Sequence, residues 1–277
     1  MRGRPQASGA DGSAADLRIA SLVPLSTVDW PGMLAATLFL QGCPWRCTYC
    51  HNEAILDPTA PGQVPWSDVQ RLLDRRSGLL DAVVFSGGEA TLQRALVPAA
   101  REVKARGFRV GLHTGGAYPA RLRALVGAGD PEERLVDWVG FDLKAPPALY
   151  PEVVRAGGPV WAKVRESFAI LAAAGVDMQV RMTITPALGP SVTTVLDTLA
   201  TLHRDRGTSG GTDGGCAPAR LVLQQARADG APAAFAEALP AAKAWDREFA
   251  RIVEAAAAHG ERIGVGVRRG GEGGQTG

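Results

Sequence analysis

Three cysteines fall within eight positions, in the segment Gly42–Cys43–Pro44–Trp45–Arg46–Cys47–Thr48–Tyr49–Cys50–His51–Asn52. The spacing is Cys-x3-Cys-x2-Cys. Thiolates favour soft metals, so zinc and iron–sulfur clusters are the candidate occupants. A structural zinc normally takes four protein ligands, and the fourth is not at hand. Cys216 stands alone in a distant glycine-rich stretch, and His51 directly abuts Cys50, a poor geometry for joining the same ion. Three thiolates on a four-iron cluster would leave one iron open to a small molecule, whereas an electron-transfer cluster is held by four cysteines. On spacing alone, a zinc loop and a plain redox cluster remain alternatives to a catalytic cluster.

Other candidate groups follow in order. Ser86–Gly87–Gly88–Glu89–Ala90–Thr91 places two glycines, whose missing Cβ atoms allow close backbone approach, beside a carboxylate that can accept hydrogen bonds from an ammonium group. Alone it reads equally well as a turn before a helix. His113–Thr114–Gly115–Gly116 offers Thr114 as a ligand contact, with a simple glycine turn as the alternative. Asp142 and Lys144 lie two residues apart, so on a strand they share a face; a solvated pair there would be worth little. Arg181 sits inside an apolar run, where an arginine requires a partner.

These groups need elements to hold them. Short apolar runs recur at Ala35–Gln41, Asp81–Phe85, Phe108–Leu112, Val136–Phe141, Val176–Ile184 and Leu221–Leu223, the pattern of strands buried on both faces. Helical periodicity lies between them: Leu92, Leu96, Ala99 and Val103 before Gly107; Val164, Phe168 and Leu171 before Gly175; and Val195, Leu199 and Leu202 after a capping Ser191. Alternating strand and helix predict an α/β fold with a parallel sheet. Six or so units would make a partial (β/α)6-type barrel, with its site at the C-terminal ends of the strands, and each motif above directly follows or lies within an apolar run. Residues 18–268 are expected to form this one domain. Residues 1–17 read as a disordered leader, 204–220 as a flexible glycine-rich insertion and 269–277 as a disordered tail.

Composition excludes several classes. With 46% hydrophobic residues, 21% charged residues and a net charge of +2, the 277-residue chain is an ordinary globular protein with no basic block for nucleic acid. No run of 18 apolar residues suggests a membrane span, and the N-terminus lacks the apolar region of a secretory signal. Clustered thiols without a dispersed, even set point to a reducing compartment, the cytoplasm.

The cysteine spacing, with aromatic Tyr49 before the last cysteine and Gly87–Gly88–Glu89 one βα unit later, resembles the signature of the radical S-adenosylmethionine (SAM) superfamily. Ala90 replaces the usual proline after the glutamate, and Gly115 stands where asparagine is common. The wider pattern, Leu25–Gly32 (LSTVDWPG), Phe39–Cys47, Tyr49–Asn52, Gly78–Asp81 and Val110–Thr114, resembles the anaerobic ribonucleoside-triphosphate reductase activating proteins over about Ala20–Thr185. The resemblance implies a [4Fe–4S] cluster on Cys43, Cys47 and Cys50, and SAM contacted by Tyr49, Gly87, Gly88, Glu89, Thr114, Asp142 and Lys144. Arg181 would neutralise the SAM carboxylate or pair with a structural acid. It also implies an activase whose 5′-deoxyadenosyl radical takes hydrogen from a glycine of a partner, an anaerobic ribonucleotide reductase, with an electron donor such as flavodoxin or ferredoxin. Competing readings are a small radical SAM enzyme acting on a free metabolite, similar to 7-carboxy-7-deazaguanine synthase, and a non-catalytic iron–sulfur protein.

Overall fold

The computed structural model describes residues 12–128, 130–207, 220–259 and 265–268. Among them, eight strands form one sheet in chain order: β1 (Ile19–Ser26), β2 (Ala35–Leu40), β3 (Ala82–Gly87), β4 (Arg109–Thr114), β5 (Trp138–Asp142), β6 (Asp177–Ile184), β7 (Arg220–Gln225) and β8 (Val265–Arg268). β1 is antiparallel to β2, and every later pair is parallel. No pairing returns from β8 to β1 among the described residues, so the sheet is an open, partial barrel. The helices are α1 (Trp66–Arg75), α2 (Leu96–Ala105), α3 (Pro119–Leu125), α4 (Tyr150–Val154), α5 (Val160–Ala173), α6 (Val192–Gly207), α7 (Ala233–Ala238) and α8 (Ala242–His259).

The six predicted runs are β2 to β7. The two strands that sequence did not announce are the edges. β1 carries Pro24 and two register shifts, as an edge strand tolerates, and β8 has four residues. Helix starts also differ. Leu92 belongs to a 3-10 turn, Ala90–Leu92, and α2 begins at Leu96. Ser191 ends another such turn, Gly189–Ser191, directly before α6, and ahead of that turn Thr185 Oγ1 accepts from the Leu188 N–H at 3.2 Å.

Strand alternation creates two cores. Ala36, Leu38 and Leu40 of β2, Val83 and Phe85 of β3, and Val139 and Phe141 of β5 point outward under the helices. A buried leucine or phenylalanine of this kind contributes about 1.5–3 kcal/mol. Ala35, Ala82, Val84 and Trp138 face inward and pack on Trp30. Trp30 lies in the link between β1 and β2 and stacks on Trp138 with ring centroids 5.3 Å apart. Gly111 makes room: a Cβ there would lie 2.9 Å from the Trp30 ring. The two tryptophans form an apolar floor at the N-terminal end of the strands.

Order begins earlier than residue 18. Ser13 caps a 3-10 turn, Ala14–Asp16, in a reciprocal capping box, and Ala14 and Leu17 are buried. The expected insertion also shrinks, because 204–207 continue α6 and Arg220 starts β7; residues 208–219, with Cys216, and the predicted tail lie outside the described residues. No described helix is long and apolar enough to cross a membrane.

Candidate functional site

β2 delivers the chain to the thiol loop at the C-terminal end of the sheet. The loop is fixed through its backbone: Gly42 N–H donates to Ile55 O at 2.8 Å, Cys43 N–H to Leu56 O at 3.1 Å, Arg46 N–H to Val154 O at 2.9 Å and Thr48 N–H to Val153 O at 3.0 Å. The Arg46 guanidinium gathers the carbonyls of Cys43, Trp45 and Leu56. Two sulfurs already accept backbone N–H groups, Cys43 Sγ from Trp45 at 3.5 Å and Cys50 Sγ from Asn52 at 3.4 Å. Burial pushes the Cys43 thiol up to about 12 and the Cys47 thiol up to about 11, with the Lys144 ammonium opposing it at Cys47. A metal entering this loop must therefore displace protons. His51 is committed elsewhere, its Nε2 3.2 Å from Arg227 O. Among the described residues no three His, Cys, Asp or Glu side chains converge on a single ion.

The turn after β3 packs directly on this loop. Gly88 N–H donates to Leu40 O at 3.1 Å and Glu89 N–H to Gly42 O at 2.9 Å. Gly87 has φ 119°, and a Cβ on it would sit 2.2 Å from Leu40 N; one on Gly88 would sit 2.3 Å from Gly42 O. The close approach that these glycines permit is thus to the end of β2, for Gly87, and to the thiol loop's own backbone, for Gly88. Glu89 is buried, and its Oε1 accepts from Thr91 N–H (3.1 Å), Thr91 Oγ1 (2.5 Å) and Thr114 Oγ1 (2.7 Å), while Oε2 accepts from Gly115 N–H at 2.9 Å. Thr114 is consequently a holder of Glu89. Gly115 is where it is because a Cβ would meet the Trp45 ring at 2.3 Å.

Asp142, Lys144 and Arg181 converge. Arg181 Nε donates to Asp142 Oδ1 at 2.9 Å and Lys144 Nζ to Oδ2 at 3.1 Å. Lys144 lies just beyond β5, so the pair is a strand-end contact, and Arg181 has the Asp142 carboxylate as a partner. Burial works to raise the Asp142 carboxyl, but Arg181 and then Lys144 outweigh it and hold the group well below the usual carboxylate range. Tyr49, expected at the ligand, is buried with its hydroxyl donating to Lys144 O at 3.1 Å, while Tyr150 Oη accepts from Lys144 N–H at 3.0 Å. Both tyrosines clamp the Lys144 backbone.

Sequence reasoning passed over His113, Ser86 and Asp29. His113 Nδ1 lies 3.0 Å from Ser86 Oγ, and its Nε2 lies 2.8 Å from Asp29 O and 3.1 Å from Arg181 Nη1. Burial, then Arg181, pull the imidazole down to about 4, so it is neutral at pH 7. Gly140 leaves space for the contact, since a Cβ there would be 2.8 Å from His113 and 2.9 Å from Arg181. The missed signal was the inward alternation of the strands, which puts Ser86, His113 and Asp142 on the face lined below by Trp138.

The radical SAM superfamily model matches residues 37–199, more than half of the chain. The chain belongs to the radical SAM superfamily. A Methanocaldococcus jannaschii protein provisionally named as a glycyl-radical enzyme activating enzyme is 34% identical over 139 residues, 50% of this chain and 54% of that protein. The pyruvate formate-lyase 1-activating enzyme of Escherichia coli K12 is 36% identical over 132 residues (46% and 52%), and the pyruvate formate-lyase-activating enzyme of Clostridium pasteurianum is 31% identical over 134 residues (46% and 52%). The chain spans about half the length of the curated relatives it matches. Among solved structures, QueE from Escherichia coli superposes with TM-score 0.50 at 15% identity over 91% of this chain and 93% of that one. Streptococcus suis SuiB bound to precursor peptide SuiA gives 0.58 at 11% identity over 82% and 47%. Both likenesses show the radical SAM fold alone.

Radical SAM enzymes use a [4Fe–4S] cluster and SAM, and the donor set fits that pair. The thiol loop offers three soft ligands, two of them already accepting backbone N–H groups, and no fourth. One side of Glu89 Oε2 is left for a further donor after Gly115 N–H. Glu89→Gln is expected to keep full iron content but to weaken SAM binding at least tenfold, because an amide nitrogen in place of Oε2 would face the Gly115 N–H donor to donor. Isothermal titration of the reconstituted protein checks this; unaltered affinity would remove Glu89 from the site.

Proposed function

We propose that this chain is an activase that installs a glycyl radical on a partner enzyme, with an anaerobic ribonucleoside-triphosphate reductase as the preferred partner. The observation that carries the reading is the likeness, at 31–36% identity, to proteins named as glycyl-radical and pyruvate formate-lyase activating enzymes. The motif pattern from Leu25 to Thr114 supports the reductase as partner. The open sheet, in which β1 and β8 are not paired among the described residues, supports a protein substrate, because a protein loop needs a wider mouth than a metabolite does.

In this reading Cys43, Cys47 and Cys50 hold the cluster, and its open iron and SAM together supply a 5′-deoxyadenosyl radical when both are bound. The chain does the rest. Glu89, fixed by Thr91, Thr114 and Gly115, orients the SAM ammonium group. Asp142 and Lys144, the latter clamped through its backbone by Tyr49 and Tyr150, line the opposite wall. Arg181, beside His113 and Gly140, keeps the Asp142 carboxylate in one orientation. The tryptophan floor excludes water from below, which protects a reactive centre from side reactions.

The test is anaerobic reconstitution with iron and sulfide, then dithionite, SAM and the reductase. Release of 5′-deoxyadenosine, with a glycyl doublet in the electron paramagnetic resonance spectrum of the reductase, is the expected result. Deoxyadenosine without the doublet would move the proposal to another partner. Neither product from protein carrying a full cluster would overturn it.

A further inference from the structure

One ring nitrogen in the lumen faces two partners that it cannot serve together. His113 Nε2 lies 2.8 Å from the Asp29 carbonyl oxygen and 3.1 Å from Arg181 Nη1. A carbonyl only accepts and a guanidinium only donates. With a proton on Nε2 the ring serves Asp29 and meets the Arg181 N–H hydrogen to hydrogen. With Nε2 bare it serves Arg181 and meets the Asp29 oxygen lone pair to lone pair. The ring is neutral at pH 7, so it has one proton to place. It is wedged where it stands: it lies edge-on to Trp138 with centroids 5.7 Å apart, and a Cβ on Gly140 would be 2.8 Å from its Cδ2.

Ser86 makes both placements workable. Its hydroxyl, 3.0 Å from Nδ1, accepts from a protonated Nδ1 or donates to a bare one, because a hydroxyl does either. His113 thus has two hydrogen-bonded states, and each leaves a different neighbour unserved. Those neighbours belong to different walls. Asp29 is in the link between β1 and β2, where its carboxylate accepts from Thr37 Oγ1 at 2.7 Å and its N–H donates to Ser26 Oγ at 3.3 Å. Trp30 of the floor follows it directly. Arg181 on β6 grips Asp142, whose other oxygen takes the Lys144 ammonium. A hydrogen bond from a charged donor is about twice as strong as a neutral one, so with no ligand on Arg181 the guanidinium claims Nε2 and the proton sits on Nδ1.

We propose that His113 is a positioning residue with two working tautomers: an anionic ligand group that draws Arg181 away, the carboxylate of SAM, hands the ring to Asp29 and ties the β1–β2 link to the loaded lumen. The inference rests on the activase reading, in which SAM fills the lumen. Its one chemical step is a proton shift on the ring. The Nδ1–H bond breaks and gives its proton to water, the Nε2–H bond forms with a proton taken from water, and the Ser86 hydroxyl turns from acceptor to donor. Charge and proton count are unchanged. A ligand that prefers one of two such states shifts the protein toward it, so SAM binding is felt at the floor of the chamber.

The test reads the ring directly, on reconstituted full-length protein with its cluster oxidised and its histidines labelled with nitrogen-15. Correlating ring nitrogens with ring protons shows which nitrogen is protonated, and contacts to the Trp138 ring assign the His113 signals among the four histidines. The proton is expected on Nδ1 without SAM and on Nε2 with saturating SAM. Arg181→Met, which removes the donor, is expected to show Nε2–H without SAM. Amide hydrogen exchange across residues 27–33 is expected to slow about threefold when SAM is added to the parent, and to stay unchanged in His113→Phe. The same nitrogen protonated with and without SAM, in protein that titration calorimetry shows to bind SAM, would overturn the proposal; this comparison needs no variant to fold. So would Nδ1–H retained in Arg181→Met, or slowed exchange that persists in His113→Phe. A parent that binds no SAM would sink the site reading and the handover together. A parent that binds SAM and shifts its ring proton, yet installs no glycyl radical, would fail the activase reading and still bear out this one.

Discussion

Cys47→Ala protein, reconstituted and reduced beside the parent, is expected to release no 5′-deoxyadenosine above background, a loss of at least a thousandfold. Cys47 is the middle thiol of three, and its removal leaves two ligands for a cluster that has no fourth cysteine in the loop to draw on. The thiol makes none of the hydrogen bonds that hold the loop; those run through Gly42, Cys43, Arg46 and Thr48 backbone atoms and the Arg46 guanidinium. The cluster-free variant should therefore melt within a few degrees of the cluster-free parent, and its visible absorbance after reconstitution should drop. Cys216→Ser should leave iron content and product unchanged. Iron lost from the Cys216 variant, or retained with full product formation in the Cys47 variant, would reassign the ligands.

Gly87→Ala is expected to destabilise the cluster-free protein by about 3 kcal/mol or more. A residue with a side chain at φ 119° carries backbone strain, and the new methyl would meet Leu40 N at 2.2 Å and Leu40 O at 2.4 Å. Those are main-chain atoms of the central sheet, so no rotamer change relieves the clash. Such a loss is a large part of the total stability of an ordinary domain. Urea denaturation of cluster-free protein measures it. A change under 1 kcal/mol would mean that β2 and β3 separate more easily here than their register implies. Gly88→Ala, pressed on Gly42 O, should also disturb iron loading because it pushes on the residue before Cys43.

The cysteine spacing is local chemistry and was readable directly, as were β2 to β7, whose branched, apolar runs are buried on both faces. The roles of the glycines were readable in kind but not in partner, since which backbone they admit depends on the register of β2 with β3. Arg181 stood out as a residue needing a counter-charge, but that Asp142 lies beside it follows only from the β5–β6 pairing. His113 stayed hidden because a histidine at a strand end gives no local sign of pointing inward. β1 and β8 were invisible for a plainer reason: an edge strand with a proline and a four-residue strand carry too little periodicity to stand out.

The hairpin of β1 and β2 has one more consequence. The chain runs down β1 to Trp30 and back up β2 to Cys43, and Trp138 is level with Thr37 across β3 and β4, so only the last three residues of β2, Leu38 to Leu40, separate the tryptophan floor from the thiol loop. At the usual rise per residue, that stretch is about 10 Å long. β2 therefore acts as a depth gauge for the whole reaction chamber. Deleting one residue from it would shorten the chamber by about 3 Å and also turn Thr37 and its neighbours to the opposite face. Chamber depth and lining chemistry cannot vary independently in this protein.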